Sequence, residues 1–218
     1  MKYGKLLLVI KAVLIGLLIL SGAIALPILL RPFYYWHIGP MDLGQTLGLD
    51  AEQVKTAYRE MMDYCVGVSD TFSVGALPFS ESGAAHFADV RALFLLDLRV
   101  LAISAVLLTA LCLSVRGKNR LAGHNPGFWS AVGLSGSFVL VAGLAALDFD
   151  RAFTVFHSLF FSGKTNWLFY PEEDPVIALL PAEFFRNCAL LILAGILVPC
   201  AGLIFWDLYQ KRQEKRVR

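Results

Sequence analysis

Charge is scarce in this sequence. Only 17% of its 218 residues are Asp, Glu, Lys or Arg, while 57% are hydrophobic, against about 25% and about 45–50% in soluble domains. That balance argues against a soluble globular chain and favours the membrane class. Cysteine is also sparse, with four residues in all. Cys112 and Cys200 lie in apolar runs, Cys188 lies near the end of another, and only Cys65 stands in a long polar segment. No disulfide framework follows, and small packing residues are the simplest reading of all four. Neither C-x-x-C nor H-E-x-x-H occurs, so no metal and no cofactor is expected.

What the chain does have is long apolar runs. Four, at about 12–30, 92–115, 128–147 and 185–206, reach the roughly 20 helical residues that cross a hydrocarbon core of about 30 Å. Each is expected to be helical, because lipid offers no partner to an isolated strand's backbone. The expected fold is an all-α integral membrane protein, a four-transmembrane-helix bundle forming a single membrane domain over residues 1–218.

The net charge of +2 averages two regions of opposite sign. Lys2, Lys5 and Lys11 precede the first span, Arg116, Lys118 and Arg120 follow the second, and Lys211, Arg212, Lys215, Arg216 and Arg218 follow the fourth. All three clusters fall on one side, which the positive-inside rule makes the cytoplasm, with both termini inside. Nearly every acidic residue falls on the other side; only Asp207 and Glu214 lie inside. The basic start and small residues Ala23-Ile24-Ala25 resemble a cleavable signal. The apolar run continues to Leu30, however, and an aromatic belt of Phe33, Tyr34, Tyr35 and Trp36 follows, so a retained first span is expected.

Two extracytoplasmic segments, about 31–91 and 148–184, are expected to contain interfacial helices. In the first, Asp50 and Gln53 form a capping box. Val54, Ala57, Tyr58, Met61 and Cys65 then share one helical face, opposite Glu52, Lys55, Arg59, Glu60 and Asp63. Such a helix either lies on the membrane surface or packs on other loops. A looser stretch from Val68 to Pro78 leads to Phe79-Ser80-Glu81-Ser82, the expected start of the second membrane helix. In the second segment, Asp148-Phe149-Asp150 opens a helix carrying Phe149, Phe153, Phe156 and Phe160 at helical spacing, with His157 among them. Gly163 can end it, and Trp167, Phe169 and Tyr170 mark the headgroup level. Asp174-Pro175 reads as a helix cap followed by proline, and Pro181 restarts the chain into the fourth span.

His86 and His157 come from different outer segments, each close to carboxylates and interfacial aromatics, a setting that His37 and His124 lack. Partial positive charge at a helix N-terminus disfavours imidazolium at His86, whereas Asp89 three residues on favours it, leaving the net shift open. Asp97 lies eleven residues after His86 on nearly the same stripe. An ionisable residue inside a span is itself a functional hypothesis.

Phe79-Ser80-Glu81, His86, Asp89-Val90-Arg91, Asp150, Phe153, Phe156-His157, Phe160, Trp167, Asp174, Pro181 and Phe184-Phe185 together resemble the bacterial lipoprotein intramolecular transacylases. The resemblance covers nearly the whole chain. It implies a multi-pass enzyme of the bacterial cell membrane acting on diacylated lipoproteins among membrane phospholipids, with no nucleic-acid partner. The implied reaction moves the sn-2 acyl chain of the diacylglyceryl-cysteine to its α-amine, giving a lyso-form N-acyl lipoprotein. It also implies His86 and His157 as the catalytic candidates. Ser80, Glu81, Asp89, Asp150, Tyr170 and Asp174 stand as supporting candidates. Among them Asp89 and Asp150 read as imidazole-orienting partners and Tyr170 as an oxyanion donor. Competing readings are a membrane ester hydrolase, a transport or sensor subunit built on Asp97, and an assembly factor that only binds lipid-modified proteins.

Overall fold

The computed structural model of the chain describes residues 2–114 and 120–216, with side chains from Gly4 onward. Arg116, Lys118 and Arg218 of the basic clusters lie outside the described residues, as does the end of the second span at Val115. Among the described residues, seven α-helices follow in order: α1 (Lys2–Leu29), α2 (Arg31–His37), α3 (Ala51–Cys65), α4 (Glu81–Ser114), α5 (Pro126–Leu147), α6 (Phe149–Phe160) and α7 (Ala182–Arg216). Four of them, α1, α4, α5 and α7, are long and apolar enough to cross a membrane. Three of these helices run well past the apolar stretches that announce them, because polar residues at their ends continue the backbone hydrogen bonding into water. Apolar side chains along them face outward, among them Val106, Leu140, Val198 and Phe205, as lipid contact requires.

The chain divides into two compact units. One comprises Met1–Ile24, Leu98–Gly143 and Leu191–Arg218. Its small core gathers Ala23, Ala131, Ile196 and Cys200, and a side chain at Gly127 would press on Leu203 and Ile15. Small residues here let helix backbones approach closely. At one end of this unit the Asp207 carboxylate, fully buried, accepts from the Asn125 backbone N–H at 2.8 Å and pairs with His124 Nδ1 at 2.6 Å. Lys211 Nζ and His124 Nε2 lie 2.8 Å apart. His124 is thus enclosed by hydrogen bonds.

The other unit comprises Ala25–Asp97 and Leu144–Leu190. The capping box at α3 forms as read from the sequence, with the Asp50 carboxylate accepting from Glu52 and Gln53 and the Gln53 side chain accepting from Asp50 N–H. Of the two settings open to α3, the packed one holds: Val54, Ala57, Tyr58, Met61 and Cys65 are all buried in protein. The aromatic belt is correspondingly divided. Trp36 is exposed, but Tyr34 is fully buried, stacked on Tyr58 at 3.6 Å between centroids, edge-on to Phe184, with its hydroxyl donating to the Leu179 carbonyl at 2.9 Å. Tyr34 therefore joins α2, α3, the turn before α7 and α7 itself. Arg31 fixes α2 on α3 through Asp63 and the Arg59 carbonyl. Glu60 gathers the looser stretch by accepting from Ser73 and from Gly75 N–H. Gly44 is required at its turn, since its φ is +93° and a side chain there would meet Val54 and Leu49.

Candidate active site

Helix α4 starts where the sequence places it. Pro78 bars helix upstream, and the Ser80 hydroxyl accepts from Gly83 N–H at 2.9 Å, the usual N-cap bond. The same hydroxyl donates to Asp174 Oδ2 at 2.7 Å, and Ser80 N–H donates to Asp174 Oδ1 at 2.8 Å. Asp174 is almost fully buried. It makes no cap bond to the 3-10 turn Pro175–Leu179 that follows it, which corrects the local-cap reading. Its negative charge instead serves the positive end of α4, ninety-four residues away in sequence. Gly83 lacks a side chain because one would overlap the Asp174 carboxylate.

This clasp sets the start of the helix that carries His86. His86 is only 5% exposed, and its ring lies 6.1 Å from that of His157, centroid to centroid, with 28° between planes. Phe161 touches both rings, at 4.8 Å from His86 and 5.6 Å from His157. Phe169 covers His86 at 5.3 Å, while Phe153 and Trp167 cover His157 at 4.1 and 5.2 Å. The pair therefore sits in an aromatic cage built from α4, α6 and the chain after α6.

His157 has its tautomer set by the backbone. Its Nδ1 is 2.8 Å from the Phe153 carbonyl one turn back. A carbonyl only accepts, so Nδ1 carries the proton and Nε2 keeps its lone pair in the neutral ring. Burial holds this imidazole below the usual histidine range, partly opposed by the bond to Phe153. The orienting role read for Asp150 is taken by that carbonyl, and no hydrogen bond joins the Asp150 carboxylate to His157. Asp89 likewise turns elsewhere: its carboxylate accepts from Lys164 Nζ and, at 3.0 Å, from Asn166 Nδ2.

Of the other candidates, Glu81 is an exposed first-turn residue of α4, and Tyr170 is 63% exposed, with its carbonyl accepting from Glu173 and Asp174. His37 is held between the Phe33 carbonyl and the Asn187 amide. Asp97 is half-buried, midway along α4. Hydroxyls near the pair are committed: Ser80 to Asp174, and Ser158 to the Thr154 carbonyl at 2.9 Å. Among the described residues, no group of three or more His, Cys, Asp or Glu is placed to hold a metal ion. Sequence reading missed Phe161 as the shared wall, and it missed Lys164 and Asn166. The available signal was the density of aromatic and polar residues between Phe160 and Tyr170.

The arrangement offers two imidazoles and a desolvated wall, which suits general acid–base proton transfer. Solved structures of similar fold come from the membrane-integral lipoprotein intramolecular transacylase Lit of Bacillus cereus. One aligns with a TM-score of 0.86 at 23% identity, over 97% of this chain and 99% of that chain. Two variants of the Bacillus cereus protein, with a histidine replaced by arginine or by alanine, align with TM-scores of 0.77 at 23% identity. They cover 98% and 97% of this chain and 95% and 96% of their own. No curated protein matches the chain. The family model of the lipoprotein intramolecular transacylase Lit matches residues 9–185, most of the sequence and both caged histidines, and the chain belongs to that family of membrane acyltransferases.

Proposed function

We propose that His86 and His157 together carry out the transacylation, moving the sn-2 acyl chain of a diacylglyceryl-cysteine to the α-amine of the same residue. The observation that carries this reading is the 6.1 Å approach of two imidazoles from separate segments inside one aromatic cage. The substrate's α-amine has a pKa of about 7.7–8.0 and must lose a proton before it attacks. The neutral amine then gives up a further proton as it attacks, and His157, with Nε2 free to accept, fits that task. The amine nitrogen bonds to the ester carbonyl carbon, and the bond from that carbon to the glycerol oxygen breaks. The amine's proton leaves through one imidazole, and the departing oxygen receives one from the other. Donor and acceptor belong to one molecule, so holding it bent supplies much of the acceleration. An acyl-enzyme is unnecessary, in keeping with the commitment of Ser80 and Ser158 to other partners.

The reaction takes place at the extracytoplasmic interface of the bacterial membrane, with phospholipid around the substrate and both termini in the cytoplasm. Support for that placement comes from the basic clusters at one end of the spans and from α6, whose Val155, Phe156, Leu159 and Phe160 are exposed. An amphipathic helix of this kind buries its apolar face at the headgroup boundary. We treat the chain as one membrane domain in function.

Incubating the purified protein with a synthetic diacylated lipopeptide tests the reading. An unchanged mass with an acylated α-amine is the expected result. Released fatty acid would mean a hydrolase, and binding without turnover an assembly factor. His86→Ala and His157→Ala are each expected to lower the rate about 10²–10⁴-fold, and full activity in both would sink the assignment.

A further inference from the structure

We propose that Asn166 is the residue that recognises the α-amine of the lipoprotein's N-terminal cysteine, through its side-chain carbonyl Oδ1. The inference rests on the transacylase reading above and adds the specificity determinant for the accepting group.

Asn166 Nδ2 donates to Asp89 Oδ2 at 3.0 Å. That bond settles the amide orientation, because turning it over would set Oδ1 against a carboxylate oxygen. Oδ1 then points away from Asp89. It is buried and has no hydrogen-bond partner among the described residues, as does Nδ1 of His86. A buried acceptor left unpaired is costly and rare in a native fold. What such an atom lacks is an N–H or O–H donor.

Its place in the fold connects that need to the reaction. Asp89 lies one turn along α4 from His86, and Lys164 and Asn166 both grip it. The next residue, Trp167, packs on His157 at 5.2 Å, and Phe169 packs on His86 at 5.3 Å. The segment from Lys164 to Phe169 is thus clasped to α4 by Asp89, lines both imidazoles through Trp167 and Phe169, and carries Oδ1 as its buried acceptor. An α-amine offers N–H donors in its ammonium form and again once neutral. An ester offers none. Oδ1 therefore distinguishes the accepting end of the substrate from the donating end, and fixes the nitrogen while its proton is removed. Asp89, which touches Asn166 through its amide, is the positioning residue.

Two unreactive probes test this. Both are lipopeptides with an ether in place of the sn-2 ester; one keeps the cysteine α-amine and the other carries hydrogen there. Binding of each to the full-length protein in lipid nanodiscs is measured by calorimetry, for wild type and Asn166→Ala. Wild type is expected to prefer the amine probe by about tenfold or more, as for a hydrogen bond to a charged group. In Asn166→Ala the preference should collapse toward unity while the amine-free probe binds as before, which also shows that the variant is folded. An undiminished preference overturns the proposal. Loss of both probes overturns it too, since the position would then hold the segment rather than select the amine. If wild type fails to convert the ester lipopeptide, the transacylase reading falls; if it converts it and the preference survives in Asn166→Ala, only this inference falls.

Discussion

An imidazole that has already given its Nδ1 proton to a carbonyl one turn back has a single nitrogen left for chemistry, and His157 is in that position. Its protonation is held below the usual histidine range of about 6.5 by burial. The substrate amine titrates higher, near 7.7–8.0. The initial rate at low lipopeptide concentration should therefore fall tenfold per pH unit below the amine's value and steepen to a hundredfold per unit only below about 6.5. A stopped assay from pH 5 to 9 checks this, and a second break above 6.5 would remove His157 from the proton transfer. Linkage has the same sign. The unfolded chain binds a proton at His157 more readily than the native one, so its contribution to stability declines as pH falls from about 6.5 toward the native value. That His86 and His157 meet was legible from sequence, because two outer segments each supplied one histidine in an acidic, aromatic setting. Their partners were not. Asp89 shares a helix face with His86, yet its carboxylate is claimed by Lys164, seventy-five residues on. Helical spacing describes neighbours along one element and is silent about a distant loop.

Among the elements, α4 depends most on something outside itself. Its Ser80 cap and Glu81 start follow from local rules, but the buried carboxylate at its N-terminus is Asp174 from the other long segment. Asp174→Ala removes acceptors from Ser80 N–H and its hydroxyl together. Hydrogen bonds to charged groups are worth about 1.5–3 kcal/mol each, so a loss of that order is expected in thermal unfolding in detergent. Gly83→Ala should act similarly by displacing the carboxylate. A midpoint unchanged in both variants would show the clasp to be dispensable. Residues Asp174-Pro175 looked like a local cap, and so they would in any sequence, because long-range acceptance by an aspartate leaves no periodic trace. Helix α3 presented the same limit from the other direction. Its stripe marked an apolar face unambiguously, and only tertiary packing with Tyr34 and Tyr58 decides that protein rather than lipid covers it.

At the scale of the molecule, four runs of about 20 apolar residues leave little freedom, and length and composition alone made the helical membrane class legible. The proposed direction of insertion rests on the basic residues. In a Cys112→Ser background, a membrane-impermeant maleimide applied to intact spheroplasts is expected to label Ser162→Cys and spare Lys215→Cys until the cells are lysed. The opposite pattern would invert the topology. The two long segments of this chain each bring one histidine and one half of each clasp, Ser80 with Asp174 and Asp89 with Asn166. With the proposed dyad, neither segment alone holds a working centre. Catalysis is then a coincidence signal: acyl transfer would report that two separately translated stretches have met in register, and a misassembled copy with both histidines intact would be silent.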